Sequence, residues 1–276
     1  MKKLVSAIYL NFNQTTKGGR PYVWRDRYID GVANLRNNKY KKVIYTDGDQ
    51  KILGQLNSKL NSVCSKDELN LFEIKTLDID ECEFSSRLDQ LMPKEKKRPL
   101  DQRCPHVQYA KIDFIKRESI DSEFTFWIDA GLISPNLFPR RLVPHSETEV
   151  ITDDYLSLLE SRIKDKLYFI CGDRQGGFSG PTLKGYRYHP VGGFFGGSKP
   201  ACDSLYSKYK SISLKFLEEG KVHPEQIIME EMLLADNSSE DPFIFFDSFD
   251  SWYHEDHMIK EGARIKNKKF HQVFKD

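Results

Sequence analysis

No stretch of this 276-residue chain approaches the ~18 consecutive apolar residues that span a bilayer, so the only membrane association to expect is peripheral. Cysteine is scarce: the five residues at positions 64, 82, 104, 171 and 202 form no C-x-x-C spacing. That argues against a zinc ribbon or a disulfide scaffold and for reduced thiols in a cytoplasmic setting. A dominant charge is missing as well. With 42 Lys and Arg against 41 Asp and Glu, the formal charge of +1 gives no global field for a polyanion, and the basic residues are scattered rather than striped. A nucleic-acid role is thereby set aside. There is no internal repeat and no recognisable nucleophile motif. The amino terminus, Met-Lys-Lys-Leu-Val-Ser-Ala-Ile-Tyr-Leu, imitates a signal peptide, but Asn11 and Asn13 interrupt the apolar run and no small-residue cleavage site comes after it. It reads as a first strand.

What is present is a packed α/β protein. Hydrophobic residues make up 39% and aromatics 12%, with 18 Phe and 13 Tyr, a composition that buries a core. Residues Leu4–Leu10, Lys42–Thr46, Leu69–Ile74 and the apolar run beginning at Phe124 read as strands. Tyr22–Leu35, Lys51–Leu60 and His106–Arg117 carry helical spacing. The alternation predicts a mixed, mostly parallel central sheet flanked by helices, with right-handed crossovers. Next come a helix near Asp154–Ile163, a strand at Leu167–Cys171, a glycine-rich segment at 172–180 and a strand-like Val191–Gly197. A helix from about Pro200 ends before Gly220, and Pro224 opens another. The proline-bracketed charged stretch 93–99 is a boundary, and the last twenty residues are polar and basic.

The most informative segment is Phe-Thr-Phe-Trp-Ile-Asp-Ala-Gly at 124–131, where a buried strand delivers Asp129 into a glycine turn. Open α/β sheets bind ligands outside the carboxyl ends of their strands, so Asp129 is either a ligand-site acid or the cap of the adjoining turn or helix. Strand two ends in Asp47-Gly48-Asp49, which is a sharp turn or a pair of oxygen ligands at the same sheet edge. Lys111 shares a helix face with Val107, Ala110 and Phe114. An ammonium placed there must snorkel outward or find an anion. Gly192-Gly193-Phe194-Phe195-Gly196-Gly197 brackets two aromatics with glycines, which suits either a sugar-facing wall or a bulged core strand. Glu225 tops the buried face formed by Ile228, Met229 and Met232. An acid at a helix start is favoured by the dipole with or without chemistry to do, and Glu230 and Glu231 are alternative interior acids. Tyr253-His254-Glu255-Asp256-His257 gathers two imidazoles and two carboxylates, a weak signal for metal binding.

Arg103-Cys104-Pro105-His106-Val107-Gln108, the Phe126-Trp127-Ile128-Asp129-Ala130-Gly131-Leu132 turn and Gly192–Gly197 together resemble the HtrL/YibB-like family of bacterial proteins, itself similar to GT-A nucleotide-sugar glycosyltransferases. The resemblance implies one GT-A-like domain over 1–276. Residues 1–132 would cup the nucleotide, and 133–276 would form the acceptor half with a carboxyl-terminal tail. It implies Mn2+ or Mg2+ as cofactor and a nucleotide-sugar donor, with Asp129 at the first position of an Asp-x-Asp motif whose third position is here Gly131. His254 or His257 would complete the metal shell. Asp47 and Asp49 would contact the base or ribose, and Lys111, Asp129 and Gly131 would complete the nucleotide site at the diphosphate. Phe194, Phe195, Gly196, Gly197 and Gln226 would face the acceptor, with Glu225 and Asp129 catalytic. The activity implied is transfer from a nucleotide diphosphate sugar, such as a UDP-sugar, to a cell-surface polysaccharide, lipopolysaccharide or lipid-linked acceptor. A non-catalytic sugar-binding scaffold and a metal-dependent phosphohydrolase built on Asp47, Asp49 and Asp129 are the competing readings.

Overall fold

The computed structural model describes residues 1–9, 23–91, 99–130, 151–173, 188–235 and 243–248. Seven strands form one sheet: β1 (Lys2–Ile8), β2 (Lys41–Thr46), β3 (Phe72–Thr76), β4 (Phe124–Ile128), β5 (Leu167–Asp173), β6 (Tyr188–Ser198) and β7 (Phe243–Ser248). Their order is β3-β2-β1-β4-β6-β5-β7. β3, β2, β1 and β4 pair in parallel, as do β5 and β7, and β6 runs antiparallel between β4 and β5. This is the mixed, mostly parallel central sheet flanked by helices that the sequence predicts.

Strand residues alternate between two cores, as period-two geometry requires when both faces are covered. Leu4, Ile8, Ile44, Phe126, Ile128 and Phe194 pack with Ile29 and Val32 of α1 (Val23–Asn34), Ile52 and Leu56 of α2 (Gln50–Val63), and Leu156 and Ile163 of α6 (Asp153–Ile163). Val5, Val43, Tyr45, Trp127, Phe169 and Phe195 turn to the other face. There they meet Tyr109 and Phe114 of α5 (Pro99–Ser119), Leu205 and Tyr209 of α7 (Lys199–Glu218), and Ile228 and Met232 of α8 (Glu225–Ala235). Each such fully buried Leu, Ile or Phe contributes about 1.5–3 kcal/mol.

Several boundaries differ from the sequence reading for local reasons. The third strand begins at Phe72 rather than Leu69, because Ser65 and Glu68 close a capping box on a one-turn helix, α3 (Lys66–Leu69). α5 starts seven residues before His106 and carries Pro105 inside it. A short helix, α4 (Ser85–Leu91), and β7 have no counterpart in the sequence reading, although Phe243-Ile244-Phe245-Phe246 is a continuous apolar run. Segment 172–180 lies outside the described residues beyond Asp173, and the charged stretch 93–99 lies outside them up to Arg98. The described residues contain no helix long and apolar enough to cross a membrane.

From β1 the chain winds outward through β2 to β3, then returns to place β4 on the other flank of β1. The order of strands thus reverses between β1 and β4, and the carboxyl ends of those two strands are where such a sheet opens a ligand crevice. Asp129 succeeds β4 at that edge, and Asp47 succeeds β2 at the same edge.

Candidate active site

Trp127 points into the α5 face of the sheet, and Asp129, two residues on, goes to the same side. The indole Nε1 donates to Asp129 Oδ1 at 2.8 Å. The backbone N–H of Asp129 donates to the Gly193 carbonyl at 2.7 Å, extending the β4–β6 ladder past the strand end and fixing where the acid stands. From α5, Lys111 reaches the same spot: its Nζ lies 2.9 Å from Asp129 Oδ1 and donates to Glu225 Oε1 at 2.8 Å and to the Gly192 carbonyl at 3.0 Å. It also lies 5.4 Å from the centre of the Trp127 ring. An ammonium has three N–H groups, and three acceptors surround this one.

Burial grades the cluster. The side chains of Glu225 and Lys111 are 4% and 6% exposed, that of Asp129 37%. Burial alone would lower the Lys111 pKa, but Asp129 and Glu225 overcome it and hold the ammonium charged above the ordinary lysine range. For Glu225 burial is the largest influence and pushes the carboxyl up to about 7. The Asp129 charge adds to the rise, and Lys111 opposes it. Glu225 is the first residue of α8, where the helix dipole favours the ionised form, yet desolvation wins. Its Oε2 makes no hydrogen bond to the described residues. Tyr209 on α7, its hydroxyl pKa raised by burial and then by Glu225, closes the interior side.

Gly192 makes this arrangement possible. A Cβ there would stand 2.0 Å from Glu225 Oε1, so only glycine admits the carboxylate beneath β6. Sequence reasoning missed Trp127 and the backbone of Gly192 and Gly193 as partners of the charged groups. The one available signal for Trp127 is its i, i+2 spacing from Asp129 on a strand.

Three expectations are corrected. Lys111 does not offer a diphosphate a free N–H, because all three are taken up by Asp129, Glu225 and Gly192. Phe194 and Phe195 are fully buried on opposite faces of the sheet and form no sugar-facing wall. Phe194 packs between Phe126 and Tyr168 at 5.6 and 5.4 Å, and Phe195 stacks on Phe169 at 5.9 Å. Gly196 and Gly197 serve backbone packing instead of an acceptor. A Cβ on Gly196, at φ +150, would lie 2.2 Å from the Thr125 carbonyl oxygen, and one on Gly197 2.8 Å from that of Lys166.

The Asp47-Gly48-Asp49 segment is the turn that its composition allowed. Gly48 takes φ +81, Asp47 Oδ1 accepts the Asp49 N–H at 3.2 Å, and Asp49 Oδ1 caps α2 by accepting from the Lys51 and Ile52 N–H groups, each at 2.9 Å. Gln226 is half-buried beside Glu225. Gly131, His254 and His257 lie outside the described residues.

Among the described residues no three His, Cys, Asp or Glu side chains gather as a metal cage. A magnesium-like ion does not require one, since it is commonly held by one or two carboxylates, substrate phosphates and waters. At Asp129 both bonds above fall on Oδ1 and Oδ2 takes part in neither, and the three-group cluster carries net negative charge whenever Glu225 is ionised.

No protein-family model matches the chain, and no curated protein matches it. Among solved structures, the 4-diphosphocytidyl-2C-methyl-D-erythritol synthase of Anaerococcus prevotii matches at 12% identity over 96% of this chain and 97% of that one, with a TM-score of 0.42. Mouse xyloside xylosyltransferase 1 in its apo form matches at 8% identity over 89% of this chain and 84% of that one, with a TM-score of 0.44. At such identities and scores neither likeness bears on substrate or activity.

Proposed function

We propose that the chain is a nucleotide-sugar transferase, a divergent GT-A-like enzyme akin to the HtrL/YibB-like proteins. It would move a sugar from a nucleotide diphosphate donor to a glycan or lipid-linked acceptor. The observation that carries this reading is the buried Lys111 ammonium locked between Asp129 and Glu225 at the carboxyl end of β4, beside the strand-order reversal. Burying ionisable groups beside one another is costly, and such a cluster commonly marks function when it sits at a ligand crevice.

In this reading residues 1–132 bind the nucleotide, with Asp47 and Asp49 at the β2 terminus beside the nucleoside, and 133–276 bind the acceptor, with Gln226 on that side. Mg2+ or Mn2+, when bound, supplies positive charge to the departing diphosphate. Asp129 Oδ2 would hold it, with His254 or His257 as further candidates. Lys111 and Trp127 orient Asp129. Glu225, too buried to touch an acceptor hydroxyl, keeps Lys111 in register and stores a proton near neutral pH.

Titration calorimetry with UDP in the presence of Mn2+ and in the presence of EDTA tests the reading. Metal-dependent binding that Asp129→Asn abolishes is expected; absence of nucleotide binding under both conditions refutes it. One observation favours a non-catalytic sugar- or nucleotide-binding scaffold: every N–H of Lys111 is satisfied inside the protein, so the cluster is complete without a ligand. Nucleotide binding without donor hydrolysis or transfer would assign that role.

A further inference from the structure

β3 closes one end of the strand order, with β2 as its neighbour on one side only. Its hydrogen-bonding phase fixes which backbone groups are left over. The Lys42 N–H donates to the Leu71 carbonyl at 2.7 Å, and the Leu77 N–H donates to the Thr46 carbonyl at 3.0 Å. Successive residues of a strand turn their backbone groups to opposite sides, so Leu71, Glu73, Lys75 and Leu77 carry the ladder to β2, and Phe72, Ile74 and Thr76 turn theirs outward. Among the described residues no backbone group meets them there. Three outward N–H groups and three carbonyls form a template for an added strand.

We infer that this edge binds a second copy of the chain: β3 pairs antiparallel with the partner's β3 about a two-fold axis through Ile74, joining the two sheets into one. The axis sets Ile74 against Ile74 and Phe72 against Thr76 as hydrogen-bonded pairs. Glu73 then meets the partner's Lys75, and Lys75 the partner's Glu73, in the non-hydrogen-bonded positions where side chains come closest. Centring the pair on Glu73 or on Lys75 would set like charges against each other, so the charges select Ile74. A lysine alone on an edge repels a second copy, whereas an acid and a base placed symmetrically about an apolar residue attract one. Both side chains are already held: Glu73 by Lys41 at 2.7 Å and Lys75 by Glu118 at 2.6 Å, and they remain 37% and 34% exposed. On the other face of β3, Phe72 and Ile74 are half-buried beside Val63, Cys64 and Leu69 at the margin of the core, a ledge that the same ledge of a second copy would cover. The charged cluster at β4 lies beyond β2 and β1 from this edge, so pairing leaves it open.

Sedimentation equilibrium of the full chain is the test. The native chain is expected to form reversible dimers at or below about 100 µM. Glu73→Lys sets a lysine against the partner's Lys75, and Lys75→Glu sets an acid against the partner's Glu73, so each should weaken dimerisation at least about tenfold. An equimolar mixture of the two variants should return to within about threefold of the native affinity, because each then offers the charge that the other needs. Ile74→Cys stands opposite itself with about 5.5 Å between Cα atoms, within disulfide reach, and oxidised glutathione should link it into a dimer beyond any that the native chain forms. A native chain that stays monomeric to about 100 µM overturns the inference. A dimer whose affinity the charge reversals leave unchanged, or which Ile74→Cys does not link, overturns it as well. The native measurement and Ile74→Cys decide the matter even if the charge-reversed chains do not fold.

Discussion

At the residue scale the central fact is that Glu225 is held protonated further into the neutral range than an ordinary glutamate. Its pKa of about 7 means that the folded state keeps a proton which the unfolded chain has already released above about 4.5. Stability therefore falls as pH rises through this window and levels off above about 7. Lys111, charged throughout it, adds no slope of its own. Thermal melts of Glu225→Gln should lose this decline, because glutamine retains an oxygen for Lys111 but does not ionise. The expected difference between the pH 5-to-8 slopes of native and variant protein is roughly 1–3 kcal/mol, and superimposable pH profiles would contradict the raised carboxyl. Asp129→Ala behaves differently. Lys111 keeps Glu225 as partner, so the stability loss is expected to stay near 1 kcal/mol while donor turnover falls at least about a hundredfold. A large melting loss with turnover retained would make Asp129 structural.

At the scale of elements, the contact between β6 and the start of α8 sets the site. Gly192→Ala forces a methyl into the Glu225 carboxylate, and a loss of about 1–3 kcal/mol is expected. Adding Glu225→Ala to that variant should recover part of it, since the clash is removed. Strict additivity in the double-mutant cycle would show that the two residues do not meet. Gly196→Ala should be worse, because the obstacle there is the Thr125 backbone, which cannot rotate away. Asp49→Ala removes the cap of α2 and is expected to cost about 1 kcal/mol without altering nucleotide affinity if its contribution is the cap alone. A drop in UDP affinity larger than the stability change would support the place beside the nucleoside proposed for Asp49.

Most elements were legible because their signals are local. β1, β2 and β4 are short apolar runs bounded by turn residues, and α7 ends before Gly220, whose φ of +72 fits a residue without Cβ. The site was legible in part. Lys111, Asp129 and Glu225 each stood out as a charged residue among core positions, and the structure sets both acids within 3 Å of the Lys111 ammonium. The glycine-bracketed Phe194-Phe195 pair carried the same signal as a ligand wall. Only the pairing of β6 with both β4 and β5 shows that the rings fill two cores and that the glycines relieve backbone crowding.

For the molecule as a whole, one sheet carries both halves of the chain, and its strand order reverses beside β1, the place where open α/β sheets bind ligands. The sequence by itself determined the class of fold, since alternating strand and helix periodicities permit few other layered arrangements, and it nominated the acids and the lysine because charge among apolar positions is expensive. The tertiary structure alone decided what those groups do to each other. Whether Lys111 faces a phosphate or a pair of carboxylates depends on where α5 crosses β4 and how closely α8 approaches Gly192. That packing joins Lys111 to Gly192 and Glu225, 81 and 114 residues further along the chain, which no local pattern encodes.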